Sequence, residues 1–297
     1  MNATKRILIT GASGMLGSTL YKQWQSKYQI YCTGTSKALP NMKNYMQFNL
    51  RASNFKELFD WAQPDVIVHC AALTNGNFCQ ENPEEAFLIN GLSSYKLAQS
   101  ASKNCRIIYI STDAVFSADL HMAKENDIPN PDNIYGKSKE LGEFLLIQNS
   151  QNYTIVRTTI VGFNEKEGKA GFVEWIIHSA KNKIPIQLFD DVLFNPISCS
   201  LLGNELSTII DSGGFKNEIV HLSGSEVVSK FEFGTRLLSE LNIQNETVAK
   251  GSILQFNQRA KRSTDQSLDC SYFQTATKRN LPNLEECIRS LSKEYYE

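Results

Sequence analysis

The sequence predicts an α/β fold: a doubly wound parallel sheet, with a smaller C-terminal lobe after it. Three observations carry that expectation. Short apolar runs recur along the first half, stretches with helical spacing separate them, and a glycine-rich turn joins the first run to the first helical stretch. The runs are Arg6–Thr10, Gln29–Thr33, Asp65–His69, Arg106–Ile110 and Thr154–Val156, of the length and apolar character of strands buried on both faces. Helices are expected at about Gly14–Gln25, Asn54–Ala62, Pro83–Lys103 and Asp132–Gln148. Strands and helices alternating at this spacing stack into a parallel sheet covered on both sides. After residue 160 the rhythm weakens. A helix is expected near Phe172–Lys181, Pro-broken segments span Ile184–Pro196, and Asn242–Glu246 and Arg259–Gln266 are polar. Residues 1–160 therefore read as one domain, and 161–297 mainly as a second lobe with some segments returning to the first.

Bulk properties narrow the function classes. Lys and Arg number 30 against 31 Asp and Glu, so no global charge draws the chain to nucleic acid or an anionic membrane. No apolar run reaches the ~18 residues of a membrane span. Lys5-Arg6 leads straight into the first run without a signal-peptide core, so a cytoplasmic protein is expected. The seven cysteines are scattered and form no C-x-x-C pair, and the four histidines are isolated, so neither a disulfide framework nor a metal site is expected.

The first chemical signal is Gly11-Ala12-Ser13-Gly14-Met15-Leu16-Gly17, directly after Arg6–Thr10. About 0.1 such glycine patterns arise by chance in a chain of this length, so position decides. Between a strand and a helix, Gly11 permits a tight turn, Gly14 lets a pyrophosphate approach the backbone, and Gly17 lets the helix pack on the strand. The free N–H groups and partial positive charge of the helix start suit phosphates. A dinucleotide-binding Rossmann domain is the expectation, and a ligand-free glycine turn is the alternative. The second signal is an absence. No Asp or Glu precedes Glu57, while Lys5, Arg6, Lys22, Lys27, Lys37, Lys43, Arg51 and Lys56 all do. An NAD site carries an acid about 20 residues past the loop, and here that place reads Gly34-Thr35-Ser36-Lys37. Ser36 can donate to a 2′-phosphate and Lys37 can pair with it, so NADP(H) is expected, with NAD(H) left open. A solvated basic surface reads the same charges without a ligand.

Ser111-Thr112-Asp113 follows the run Arg106–Ile110, and Tyr135-Gly136-Lys137-Ser138-Lys139 opens a helix candidate soon after. With eleven tyrosines, about one Tyr-x-x-x-Lys is expected by chance, so again position matters. Residues i and i+4 share a helix face, which brings the Lys139 ammonium toward the Tyr135 phenol. Thr112 lies at the carboxyl end of a strand, where open α/β sheets bind ligands. A carbonyl between the two hydroxyls would meet a proton donor and a second hydrogen bond.

In this order, the motifs resemble those of extended short-chain dehydrogenases/reductases, and nearest the dTDP-4-dehydrorhamnose reductase family. The resemblance covers essentially the whole chain. It includes Cys70-Ala71-Ala72, Leu88-Ile89-Asn90, Ser111 to Phe116, the block from Tyr135 to Glu143, Val156 to Thr159, Phe194-Asn195-Pro196-Ile197-Ser198, His221 to Gly224, and Arg259 with Leu268-Asp269. It implies an NADP-binding Rossmann domain closed by a lobe that holds a nucleotide-diphosphate sugar. The cofactor would then lie along Gly11, Ser13, Gly14, Met15, Leu16, Gly34, Ser36, Lys37, Asn49, Leu50, Cys70, Ala71, Ala72, Asn90, Tyr135 and Lys139. Thr112, Asn195 and Arg259 would meet the substrate, with Arg259 on its diphosphate. The implied chemistry is hydride transfer to a sugar ketone, with Tyr135 as proton donor, Lys139 lowering its pKa and holding the ribose, and Thr112 on the carbonyl oxygen. Several positions depart from the family pattern. Ala114 replaces a common aromatic, Ile160 a common Trp and Ala260 the usual Pro, which leaves the sugar open. Asn49 replaces an Asp near the adenine, and Thr19 stands where some members carry a metal-site Glu, so no metal is carried over. Two further readings stay open: an epimerase of the same superfamily, and an NADP-binding regulatory subunit similar to that of methionine adenosyltransferase. The expected partner is a nucleotide sugar, with no nucleic acid and no membrane, and a homodimer is left open.

Overall fold

The apolar runs of the first half form strands: β1 (Arg6–Thr10), β2 (Gln29–Gly34), a short β3 (Tyr45–Gln47), β4 (Val66–His69), β5 (Arg106–Ile110) and β6 (Tyr153–Arg157). Among them stand α1 (Met15–Trp24), α2 (Lys56–Ala62), α3 (Gly76–Glu81), α4 (Pro83–Ala86), α5 (Ser93–Ser100) and α6 (Ile134–Asn149). The second half adds β7 (Ile160–Val161), β8 (Ile186–Phe189), β9 (Leu193–Phe194), β10 (Ile197–Ser198), β11 (Glu218–His221), β12 (Val228–Ser229), β13 (Val248–Gly251) and β14 (Asp265–Gln266). Its helices are α7 (Phe172–Lys181), α8 (Cys199–Ser212), α9 (Lys230–Glu240), α10 (Ser271–Thr277) and α11 (Leu284–Tyr296). These elements come from a computed structural model, which describes residues 4–52, 54–117, 120–166, 168–256 and 260–297.

The central sheet is parallel throughout, in the order β3-β2-β1-β4-β5-β6-β11. Strand order reverses between β1 and β4, and the crevice at their carboxyl ends is where a Rossmann-type sheet receives its ligand. Successive side chains of a strand point to opposite faces. Ile7, Ile9, Val66, Val68, Ile108 and Ile110 therefore join one layer, with Leu16 and Leu20 of α1 and Leu202 and Leu206 of α8. Leu8, Ile67, Ile107, Tyr109 and Ile155 join the other, with Leu58 of α2, Leu97 of α5 and Leu146 of α6. Both faces are dry. That is why these strands read as unbroken apolar runs instead of alternating ones.

Two segments beyond residue 160 lie against this sheet. β11 extends it beside β6, and α8 packs next to α1. A separate apolar core joins α7, α9 and α11 through Val173, Ile176, Phe233, Leu237 and Leu291. The predicted helix Pro83–Lys103 is a helical run from α4 through α5 with a π turn, Phe87–Leu92, in its middle. The helix expected from Asp132 starts two residues later, because Asn133 caps it by accepting from Gly136 N–H at 2.9 Å. Among the described residues, no helix is long and apolar enough to cross a membrane.

Candidate active site

The carboxyl ends of β1, β4, β5 and β6 converge on a cavity of about 800 Å³. Gly11 turns the chain out of β1 with φ +66°, and a Cβ there would stand 2.7 Å from N and Cα of Ala71. Only a glycine lets the two loops touch backbone to backbone. α1 then begins with no side-chain cap and no acid in its first turn. Its unspent N–H groups stand at the wall formed by Gly11, Gly14, Met15 and Leu16.

A polar frame fixes the floor. His69 ends β4, with Nδ1 2.6 Å from Thr10 Oγ1 and Nε2 3.0 Å from Ser93 Oγ. Ser93 spends its own proton on the Ile89 carbonyl at 2.6 Å. Nε2 therefore donates to Ser93 and Nδ1 accepts from Thr10. Burial, then the Lys139 charge, pushes His69 down to about 3, so the ring is neutral. Asn90, inside the π turn, accepts from Leu73 N–H at 2.7 Å and donates to Leu73 O at 3.0 Å and Ser138 Oγ at 2.9 Å.

The Ser111-Thr112-Asp113 turn leaves β5 directly beneath the start of α6. Gly136 makes that approach possible, since a Cβ there would overlap the Ala114 carbonyl oxygen. Thr112 Oγ1 donates to Asp113 Oδ1 at 2.7 Å, and Tyr135 lines the same cavity wall as Thr112. Burial pushes the Tyr135 phenol well above its ordinary range, with the nearby Thr112 hydroxyl opposing. One turn along α6, the Lys139 ammonium donates to Ile110 O at 2.8 Å and lies 3.9 Å from the centroid of the Tyr109 ring. Its hydrogen bond thus goes to the strand end and not to the phenol. Burial draws Lys139 down to about 7, with Glu143 and Cys70 pulling the other way. Beneath all three, Glu143 pairs with Arg157 (Nη2 to Oε2, 2.7 Å; Nε to Oε1, 3.1 Å) and accepts from Ser111 Oγ. Both charged groups are buried.

Of the residues singled out in the sequence, Gly11, Gly14, Met15, Leu16, Cys70, Ala72, Thr112, Tyr135 and Lys139 share this one cavity. Ser13 sits beside Gly34 at the end of β2. Ser36 Oγ accepts from Lys166 Nζ at 2.7 Å, and Lys37 and Asn49 are exposed nearby in sequence, while Leu50 is core. Ala71 packs under Gly11. Asn90 and Asn195 stand outside the cavity wall. The Asn195 amide is spent on Gly224 O (2.9 Å), Leu268 O (2.8 Å) and Leu268 N–H (3.0 Å). Arg259 lies outside the described residues. Among the described residues, no cluster of three His, Cys, Asp or Glu could hold a metal ion.

Sequence reasoning missed Thr158, whose buried hydroxyl has no partner and lies on the cavity wall. It also missed Lys230, which opens α9. A second cavity, of about 1040 Å³, is lined by residues of α7, β8 and β13 and shares Ile160, Lys230, Arg262 and Gln266 with the first. Thr158 follows the Val156-Arg157 strand end and was open to attention there. No sequence pattern marks Lys230.

With this geometry in hand, likeness to known proteins is specific. The sequence family described as RmlD substrate binding domain matches residues 5–297. The chain is 31% identical over 242 residues to the spore coat polysaccharide biosynthesis protein SpsK of Bacillus subtilis (strain 168), covering 80% of each chain. It is 30% identical over 295 residues to methionine adenosyltransferase 2 subunit beta of Bos taurus, covering 91% of this chain and 82% of that one. A crystal structure of dTDP-4-dehydrorhamnose reductase from Bacillus anthracis str. Ames in complex with NADP superposes with a TM-score of 0.87 at 26% identity, over 98% of this chain and 99% of that one.

Two outcomes test the frame. Glu143→Ala strands the Arg157 guanidinium in the core and is expected to cost about 3–5 kcal/mol in urea unfolding. An effect below 1 kcal/mol would mean that the pair does not hold the site. His69 has a folded pKa below its unfolded 6.5, so its contribution is whole above pH 6.5 and is lost as pH falls toward 3. Between pH 6 and 4.5, His69→Gln is expected to flatten the slope of unfolding free energy against pH by up to about 1.4 kcal/mol per unit. An unchanged slope would show that the imidazole protonates in the folded state.

Proposed function

We propose that this chain, which belongs to the RmlD substrate binding domain family, is an NADPH-dependent reductase of the 4-keto group of a nucleotide-diphosphate 6-deoxy sugar. The observation that carries the reading is that Thr112, Tyr135 and Lys139 line one wall of the cavity that also holds the glycine loop. The residues present fit a dinucleotide. The first turn of α1 is uncapped and free of acid, the Gly11 turn would be filled by a Cβ, and the Thr158 hydroxyl is buried without a partner. In this reading Gly11, Ser13, Gly14, Met15 and Leu16 hold the pyrophosphate, and Gly34, Ser36, Lys37, Asn49 and Leu50 the adenosine end. Cys70, Ala71 and Ala72 line the middle, and Tyr135 and Lys139 the nicotinamide ribose. Once bound, the dinucleotide supplies a hydride to the ketone.

The chain's own residues manage the proton and the charge. Tyr135 gives its phenolic proton to the ketone oxygen, and burial keeps that phenol protonated at neutral pH, as reduction requires. Thr112 turns its hydroxyl from Asp113 to the same oxygen and shares the developing charge. Lys139, one helical turn from Tyr135 and anchored on Ile110 O, brings positive potential to the same cavity wall. Asn90 and Asn195 act one step back, bracing the loops that carry these groups. SpsK extends the reading to polysaccharide synthesis, with the reaction in the cytoplasm and a homodimer left open. The likeness to a methionine adenosyltransferase subunit favours a second reading, an NADP-binding regulatory protein. The two readings part on turnover alone.

NADPH oxidation across a panel of nucleotide-linked keto-sugars separates them, since the regulatory reading expects none. On the active sugar, Tyr135→Phe is expected to lower kcat about 10²–10⁴-fold with little change in KM or cofactor affinity. Lys139→Ala should lower turnover and cofactor affinity together. A Tyr135→Phe protein with wild-type kcat would remove Tyr135 as the donor. Cofactor choice is tested by titrating both dinucleotides, with NADPH expected to bind more tightly than NADH. Lys37→Ala should narrow that gap, and an unchanged gap would remove Lys37 from the 2′-phosphate site.

A further inference from the structure

The second cavity and the lysine at its entrance have no part in the chemistry so far. Lys230 is the first residue of α9, where a cation opposes the helix dipole. Its ammonium lies 3.2 Å from the centroid of Phe194 and 5.3 Å from that of Phe172. Lys230 lines both cavities. Burial draws its pKa down to about 7, and the Asp113 carboxylate works against that. Asp113 is itself engaged by the Thr112 hydroxyl. Among the described residues no oxygen takes a hydrogen bond from the Lys230 ammonium. A half-buried cation thus stands where two cavities join, its ammonium over an aromatic face and without a hydrogen-bond acceptor among the described residues. Such a group suits an anionic ligand, because a partly desolvated ammonium gains most from a charged acceptor.

We infer that Lys230 takes the diphosphate of the substrate at this junction, and that Asp113 is its resting counter-charge before substrate arrives. The substrate class rests on the reductase reading above. With the sugar ketone at Thr112 and Tyr135 in the first cavity, the nucleoside half has the second cavity open to it. That cavity is walled by Trp175, Phe189 and Phe256, flat faces suited to a base. Thr247 Oγ1, buried there without a partner, offers a hydrogen bond to the edge of the base. The diphosphate must then cross the wall the two cavities share, where Lys230 and Arg262 stand. This assigns Lys230 to specificity: it selects sugars carried on a diphosphate over free sugars or sugar monophosphates.

The test is a titration of the whole protein with thymidine diphosphate and thymidine monophosphate, with NADPH titrated on the same preparations. Wild type should bind the diphosphate more tightly. Lys230→Met keeps the side-chain length and the Phe194 contact but removes the charge. It should lose about 10–100-fold in diphosphate affinity, the scale of a charge-assisted bond, bring the two nucleotides near parity and keep its NADPH affinity. Lys230→Arg should retain most of the diphosphate preference. If Lys230→Met also loses NADPH, Lys230→Gln is read in its place by the same criteria. Asp113→Asn separates a structural role: were Lys230 only a partner for Asp113, both variants would melt earlier with diphosphate affinity unmoved, and the inference would fall. It falls too if wild type binds neither nucleotide. Diphosphate binding through Lys230 without any NADPH oxidation on keto-sugars would instead keep the inference and remove the reductase reading.

Discussion

The buried ion pair between Glu143 and Arg157 is the constraint on which the site depends. A carboxylate and a guanidinium removed from water are tolerated only when nearly every donor and acceptor is used. Here Arg157 gives Nε and Nη2 to Glu143 and Nη1 to Glu125 O at 3.4 Å, while its guanidinium lies 4.8 Å from the centroid of Phe116. Glu143 takes the Ser111 proton with its remaining capacity. One pair therefore joins the ends of β5 and β6 to the middle of α6. The register of α6 on the sheet follows, and with it the distance between Thr112 and the Tyr135 phenol.

The same exclusion of water sets the protonation states around the cavity. Burial raises Tyr135, lowers Lys139 to about 7, lowers His69 to about 3 and raises the Cys70 thiol to about 12. Each shift favours the uncharged form, as desolvation must. Neutral His69 can then serve as a pure hydrogen-bond link between Thr10 and Ser93, tying β1 and β4 to α5. The frame and the chemistry thus share one cause.

The parts of this arrangement that were legible in the sequence are those set by local chemistry. Five buried strands announced themselves because both faces of a parallel sheet demand apolar side chains. The Gly11 turn was legible because a tight backbone approach excludes any other residue, and Thr112 and Tyr135 because strand end and helix start are positions that motifs mark. What escaped was fixed by contacts distant in sequence. β11, Glu-Ile-Val-His, is a four-residue edge strand whose only strong signal is its pairing with β6. The lobe strands β7, β9, β10, β12 and β14 have two residues each, too few for any period to show. Asn90 and Asn195 read as ligand contacts because both are polar residues in motif positions. Their amides instead satisfy backbone groups of Leu73, Gly224 and Leu268, a need visible only once those chains are brought together.

A net charge of −1 conceals a strong local polarity. Beyond the end of β2 Lys37 is exposed and Lys166 from the second half adds its ammonium to Ser36, while Lys22, Lys27, Arg51 and Lys56 are each paired with a carboxylate. At the far end, Lys230 and Arg262 stand where the cavities join. Between them the walls around Thr112 and Tyr135 hold groups kept neutral or paired by burial. A polyanionic dinucleotide and a polyanionic sugar nucleotide can each be held by cations at the outer ends of such a channel. On the proposed reading, a ketone between them would then meet an uncharged proton donor in a water-poor centre, where a hydrogen bond to a growing negative charge is worth most.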